Sequence, residues 1–401
     1  MSFPPDHSRL PQPSAIDFSQ TPFVAIWETT KACDLACQHC RAEAIPNRDQ
    51  EELSTAEGKA LLSELAAMGT PICVLSGGDP AKREDLCDLI RHGAGTGMRM
   101  ATIPAATPLL TRDLVRDLKD AGVAQMALSL DGPTAEVHDS FRGVTGAFDI
   151  TMRAARYAHE LHVPLQINTT FSRYNQEHFD RTAECVRDLG VVFWEVFFLV
   201  PMGRGKEVAQ MNAEEFENLF IKLERFARGV DFIVKITEAP HYRRYLMQTR
   251  KGQSPAGHPG RSHAPAGRVS DLEVGPTPGH GAGMLPAHMR RDFGPGGSIG
   301  VAPKGVNSGN GYVFINYRGD IFPSGFLPLT CGNVRTDSIT EIYRTHPAFR
   351  ELRTPELFKG RCGICEYRHI CGGSRARAFA MTGDYLEEEP FCNYEPKAKG
   401  N

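Results

Sequence analysis

The chain has 401 residues, 45 Lys plus Arg against 48 Asp plus Glu for a formal net charge of −3, and is 41% hydrophobic and 23% charged. These values suit a globular protein with one large domain and a smaller one, and the near-balanced charge gives no reason to expect a nucleic acid or an anionic membrane as partner. No apolar run approaches the roughly 20 residues that span a bilayer.

Residues 1–22 are polar, lack a signal-peptide apolar segment and read as a flexible leader, so a cytoplasmic protein is expected. Eleven cysteines, an odd number without an export signal, favour reduced thiols gathered on metal over disulfides. The first strand is read over 24–30, and directly after it come Cys33, Cys37 and Cys40. Thiolates spaced x3 and x2 suit an iron–sulfur cube that keeps one iron without a protein ligand, and such a vacant position suits binding and activation of a small molecule. On spacing alone, a zinc knuckle or three unrelated buried cysteines remain as alternatives.

Further apolar β-rich runs follow at 72–76, 98–103, 125–130, 164–171 and 193–200, six strands in all. Amphipathic stretches separate them. Ser54 and Glu57 form a capping box ahead of Leu61, Leu62 and Leu65, and Thr111 and Asp113 precede Leu114, Val115 and Leu118. Strand–helix alternation at this pitch predicts right-handed crossovers and a parallel sheet, with six units making an incomplete barrel. Its active site belongs at the carboxyl ends of the strands, the face that carries the cysteine loop. Cys73, Cys87 and Cys185 sit in apolar or helical contexts and read as core.

A helix is expected over 213–229 and a further strand over 232–236. From 252 to 311 there are 15 glycines and 8 prolines, with His258, His263, His280 and His288 among them; this composition predicts a flexible insertion. A hairpin over 311–323, turning at Arg318-Gly319-Asp320, opens the second domain. Near the C-terminus, Cys362, Cys365, Cys371 and Cys392 supply four thiols, enough to close a cluster, although this spacing fits zinc equally well.

The cysteine loop, with His39 before its last Cys, resembles the signature of the radical S-adenosylmethionine (SAM) superfamily. The resemblance implies an α/β fold, a partial (β/α)6 TIM-like barrel with a small C-terminal cysteine-rich iron–sulfur domain. It also implies that SAM chelates the open iron of a [4Fe-4S] cluster and is cleaved reductively to a 5'-deoxyadenosyl radical, which abstracts hydrogen from substrate. Gly77-Gly78-Asp79-Pro80 resembles the family's Gly-Gly-Glu-Pro motif, whose backbone binds the SAM amino group; Asp79 departs from the usual Glu. By the same resemblance Ser129, Asn168 and Arg142 would contact the SAM carboxylate and ribose, and the stretch 199–205 would support adenine.

The hairpin, the run 362–373 and Cys392 resemble the SPASM/twitch extension, which implies a second, auxiliary [4Fe-4S] cluster on Cys362, Cys365, Cys371 and Cys392. Ser324 stands where many relatives have Cys, and Cys331 is a further candidate. The boundaries expected are a leader to 22, a barrel over 23–240, a helix then the Gly/Pro-rich insertion over 241–310, and the SPASM/twitch domain over 311–401. The C-terminal motifs look closest to the branch for heme and modified-heme biosynthesis, implying oxidative modification of tetrapyrrole side chains, with a flavodoxin or ferredoxin as reductant. Arg335, Arg350, Arg353, Arg361, Arg368, Arg375 and Arg377 could suit a polycarboxylate ligand or could simply be solvated. A peptide maturase that crosslinks a ribosomal precursor is the second reading, and a non-enzymatic iron–sulfur or zinc electron-transfer protein the third.

Overall fold

A computed structural model describes residues 16–250 and 305–397. The Gly/Pro-rich stretch from 252 to 304 and its four histidines lie outside the described residues, as do residues 1–15.

Seven strands alternate with helices: β1 (Val24–Glu28), α1 (Thr55–Ala67), β2 (Ile72–Ser76), α2 (Leu86–Gly95), β3 (Arg99–Thr102), α3 (Arg112–Asp120), β4 (Gln125–Ser129), α4 (Ala135–Arg142), α5 (Ala147–Glu160), β5 (Leu165–Phe171), α6 (Phe179–Asp188), β6 (Phe193–Phe198), α7 (Ala213–Ala227), β7 (Ile233–Thr237) and α8 (His241–Arg250). The capping box at Ser54 forms, and Thr111 caps α3 through the Leu114 N–H. Then come β8 (Tyr312–Ile315), β9 (Asp320–Phe322), β10 (Gly332–Asn333), α9 (Ile339–Thr345), α10 (Pro347–Leu352), α11 (Gly360–Ile364) and α12 (Arg375–Thr382). No described helix is long and apolar enough to cross a membrane.

One sheet runs β10-β9-β8-β1-β2-β3-β4-β5-β6-β7, parallel from β8 through β7. The expected barrel therefore gains a seventh unit at β7. It also borrows β8, which pairs in parallel with β1 as Val24 opposite Tyr312. The boundary at 311 falls inside this continuous sheet, because the first hairpin strand satisfies the otherwise bare edge of β1. The last residues of the expected leader pack against the barrel. Ile16 and Phe18 are buried beside Phe23 and Val24, and the Phe18 carbonyl accepts from the Tyr343 hydroxyl at 2.7 Å, so residues 16–22 plug the barrel floor.

Side chains alternate across the sheet with a period of two. One set, including Trp27, Cys73, Leu75, Met126, Leu128, Ile167, Trp194 and Ile315, packs under the helices in the main core. The other set points into the bore. Its lowest layer is apolar, with Val24, Ile72, Val74 and Ala101 against Ile16 and Phe18, and polar groups appear above it. Cys73 lies in the core, and Cys87 and Cys185 pack against it.

Candidate active site

The loop after β1 carries Cys33, Cys37 and Cys40 across the barrel mouth, held by its own far side, by the end of α4 and by the turn after β6. The Cys33 N–H donates to the Ile45 carbonyl at 2.8 Å, and the Ala36 and Gln38 N–H groups donate to the carbonyls of Arg142 and Phe141. From the turn after β6, the Arg204 N–H donates to the Cys40 carbonyl at 3.1 Å and its Nε to the Cys37 carbonyl at 2.9 Å. Two glycines allow this closeness. A Cβ on Gly78 would lie 2.4 Å from the Ala32 carbonyl oxygen, and one on Gly203 would lie 2.5 Å from that of Cys40. The thiols are shielded by Leu35, Ala106 and Ala147. Burial pushes Cys33 up to about 12 and Cys37 upward as well. Thiols in such a setting ionise when a metal draws off the charge.

The other sequence-predicted residues ring this loop. Gly77 and Gly78 close β2 against it, with the Gly78 N–H on the Thr30 carbonyl at 2.7 Å and the Asp79 N–H on that of Ala32 at 2.6 Å. The Asp79 carboxylate is wholly engaged within the chain. It accepts from the Ala81 and Ala105 N–H groups at 3.1 Å and from the Thr107 hydroxyl at 2.8 Å, and so clamps the exit of β2, where Pro80 begins a short turn, to that of β3. Ser129 and Asn168 face each other in register on β4 and β5, on the bore side. Arg142 sits beneath the loop rather than free in the mouth: it pairs with buried Asp131 at 2.5 Å and donates to Cys37 Sγ at 3.7 Å. Against the burial that opposes its charge, Asp131 and Cys37 hold Arg142 firmly cationic. His39 is buried flat on Phe141, centroids 4.3 Å apart, and Phe141 in turn on Tyr174 at 5.1 Å. Burial holds His39 neutral at ordinary pH.

Sequence reasoning missed the polar bore. Glu28 on β1 pairs with Arg41 at 2.6 Å, and Arg41 lies 4.6 Å over the Phe314 ring. Across the bore, Glu195 on β6 accepts from Lys235 at 2.9 Å, Thr237 at 2.7 Å and Gln166 at 3.0 Å, and Gln166 also donates to Asn168 at 2.6 Å. The two glutamates are more buried than the cations they hold, so Arg41 and Lys235 present the more accessible surface. The signal was present in single polar residues inside otherwise apolar strands, Glu195 within Phe-Trp-Glu-Val-Phe-Phe and Lys235 within Ile-Val-Lys-Ile. On a strand covered on both faces, such a residue marks the lumen.

The C-terminal cysteines converge. Cys362, Cys365, Cys371 and Cys392 line one pocket together with His241 and Arg244. Backbone N–H groups already point at the sulfurs: Glu389 to Cys362 at 3.3 Å, Tyr367 to Cys365 at 3.4 Å and Gly373 to Cys371 at 3.4 Å. Such bonds are a normal part of iron–sulfur sites. Among the described residues no three His, Cys, Asp or Glu side chains are gathered closely enough for a single ion. Four convergent thiols with backbone N–H groups on three of the sulfurs are a donor set that fits a four-iron cluster. Cys331 is not among the pocket's lining residues; it is buried in the main core and its thiol faces the Leu329 carbonyl.

The C-terminal arginines do not form an open basic surface. Arg335 pairs with Glu57 and Arg361 with Glu388, Arg353 and Arg375 donate to backbone carbonyls, and fully buried Arg377 pairs with Glu389. That argument for a polycarboxylate ligand falls away; Arg41 and Lys235, held by Glu28 and Glu195, are cations that reach the bore instead.

A parallel partial barrel with a three-cysteine loop at its mouth and a second four-cysteine pocket places the chain in the radical SAM superfamily, with a SPASM domain. The profile described as "Radical SAM superfamily" matches residues 27–186, and that described as "Iron-sulfur cluster-binding domain" matches 307–372. Among curated proteins, the AdoMet-dependent heme synthase of Oleidesulfovibrio alaskensis is 38% identical over 93% of this chain and 87% of its own length, and that of Methanosarcina barkeri 37% identical over 96% and 100%. The PqqA peptide cyclase of Bradyrhizobium diazoefficiens is 27% identical over 94% and 87%. In fold, the crystal structure of Streptococcus suis SuiB bound to S-adenosylmethionine superposes with a TM-score of 0.68 over 94% of this chain and 78% of that one, at 14% identity. The chain is therefore an iron–sulfur enzyme of the SAM-binding kind.

Proposed function

We propose that this enzyme oxidatively modifies the side chains of a tetrapyrrole heme precursor. The observation that carries the reading is the 37–38% identity, over nearly the whole chain, to proteins named as heme synthases, against 27% for the peptide cyclase. Cys33, Cys37 and Cys40 would hold the SAM-binding [4Fe-4S] cluster, and Cys362, Cys365, Cys371 and Cys392 a second. Bound there, the first cluster and SAM supply one-electron cleavage of the sulfonium and a 5'-deoxyadenosyl radical that takes hydrogen from substrate.

The chain's own residues shape what surrounds that chemistry. In the turn at Gly77–Pro80 the backbone of Gly77 and Gly78 would meet an ammonium group, and Ser129 and Asn168 offer polar contacts on neighbouring strand ends. His39, Phe141 and Tyr174 form a dry wall behind the loop. Arg41 and Lys235 give the bore two cationic faces suited to propionate carboxylates, with Glu28 and Glu195 fixing their positions. A low-potential protein such as flavodoxin or ferredoxin would supply electrons, and eleven free cysteines agree with a reducing compartment.

The test is anaerobic reconstitution followed by iron analysis and turnover. About eight irons per chain are expected for two cubes, with 5'-deoxyadenosine formed on adding dithionite and SAM, and a Soret shift on titrating in an iron porphyrin carboxylate. SAM cleavage persisting in the Cys33, Cys37, Cys40 triple-alanine variant would refute the site, and an unmoved Soret band would refute the substrate. The second reading, a peptide maturase, rests on the peptide-cyclase relative and would be favoured by crosslinking of a precursor peptide.

A further inference from the structure

His241 opens α8, directly after the last barrel strand, and is fully buried. Its ring stacks on Phe216 with centroids 5.3 Å apart and meets Phe220 edge-on at 4.9 Å. Neither ring nitrogen has a hydrogen-bond partner among the described residues. The nearest acid, Glu389, stands 4.0 Å from Nδ1, beyond hydrogen-bond reach, and its oxygens are taken by Arg377 and by the N–H groups of Ser374 and Phe391. The remaining neighbour is the pocket that His241 lines with Cys362, Cys365, Cys371 and Cys392.

A buried polar side chain without a partner is rare in folded proteins and calls for an explanation. Imidazole carries at least one N–H whatever its protonation state. Phe216 covers one ring face, Phe220 lies edge-on and Glu389 is out of reach, which leaves the pocket as the side from which a ring N–H can be satisfied. We propose that His241 donates this N–H to a sulfur of the iron–sulfur cluster seated in the four-cysteine pocket, and thereby sets that cluster's potential from the barrel side. The inference rests on the reading of that pocket as a cluster site. Hydrogen bonds to the sulfurs withdraw charge and favour the reduced, more negative state, so the donor raises the potential. His241 acts here as a positioning and tuning residue, tied to the barrel through β7 and α8.

The test uses the full chain with Cys33, Cys37 and Cys40 replaced by alanine, so that one cluster remains. In that background His241→Phe keeps the aromatic packing and removes the donor, and His241→Gln restores an N–H. The expected result is an approximately tenfold shift of the reduction equilibrium against the reduced state in the Phe variant, about 59 mV for one electron, with the Gln variant returning toward the parent. Proton ENDOR of the reduced cluster in H2O and D2O should show an exchangeable coupling in the parent that the Phe variant loses. Fewer than about four irons in the parent would overturn the cluster reading and the inference with it. Four irons with equal potentials in all three proteins, or Phe and Gln shifting alike, would overturn the inference alone. If the Phe variant fails to assemble a cluster, the parent labelled with 15N-histidine decides: the backbone N–H groups of Glu389, Tyr367 and Gly373 also exchange, so it is absence of a histidine 15N coupling that overturns it.

Discussion

Single residues at the mouth owe their identity to how closely backbone segments approach. Gly203→Ala would press a Cβ against the Cys40 and Arg41 carbonyls at 2.5 and 2.6 Å, from a φ of +50° that side chains disfavour. We expect a loss of about 1–3 kcal/mol and impaired filling of the barrel cluster, read as a thermal shift and a fall toward half the iron content of the parent. Lys235→Met tests the bore. Its ammonium is the accessible half of the Glu195 pair, so the variant should bind the porphyrin carboxylate at least tenfold more weakly in a Soret titration while SAM cleavage without substrate continues. The Gly-Gly-Asp-Pro turn and the cysteines were visible from the sequence because each is a local spacing. The contacts of Arg142 were not legible there, because its partner Asp131 follows β4 and its other contact, Cys37, is 105 positions away.

At the scale of elements, α1 and the segment after β10 are joined by Glu57 and Arg335. Arg335 Nε donates to Glu57 at 2.6 Å, and Glu57 also closes the capping box with Ser54. Arg335 first, and Ser54 after it, hold the Glu57 carboxyl down at about 2, from an ordinary value of 4.5. Because the folded value is depressed, this stabilisation is fully present above pH 4.5 and is lost as pH falls from there toward 2. The pair is part-exposed, so solvent screening limits it to about 0.5–1 kcal/mol. Glu57→Gln should lower the melting temperature by about 1 °C at pH 7 and leave a shallower loss of stability between about pH 5 and 3, measured by thermal denaturation across pH. Strand and helix identity was legible from apolar periodicity throughout this region. Pairing of β8 with β1 was not, since a hairpin signal reports that two strands meet and says nothing of the third strand they join.

Over the whole molecule, Arg377 bolts the two cysteine sites into one body. It is fully buried, donates to the carbonyls of Leu199 at 3.3 Å and Glu238 at 2.7 Å at the ends of β6 and β7, and pairs with Glu389 at 3.1 Å. The Glu389 N–H in turn reaches Cys362 Sγ. Removing one partner of a buried pair strands the other, at a cost of about 3–5 kcal/mol. Arg377→Met should therefore lower stability by that order and expose the C-terminal domain to limited proteolysis, whereas Arg350→Ala, on the exposed side of α10, should change neither. From the sequence Arg377 was one of seven arginines of equal standing; burial sets it and Arg375 apart from the other five, and its bonds to the ends of β6 and β7 set it apart from Arg375.

What the sequence determined by itself was whatever lies within a few residues along the chain: the cysteine spacings, the glycine turn at 77–78, the caps, and the alternation that makes a parallel α/β barrel. Tertiary structure alone decided which charges are spent and which are offered. It buried Asp79, Arg142 and Arg377 in internal partnerships, turned Arg41 and Lys235 toward the bore, and brought His241 to a pocket whose cysteines lie more than 120 positions away. The physical reason is that a charge's availability depends on its desolvation and its partners. Both are set by contacts between distant segments, and a linear pattern does not encode them.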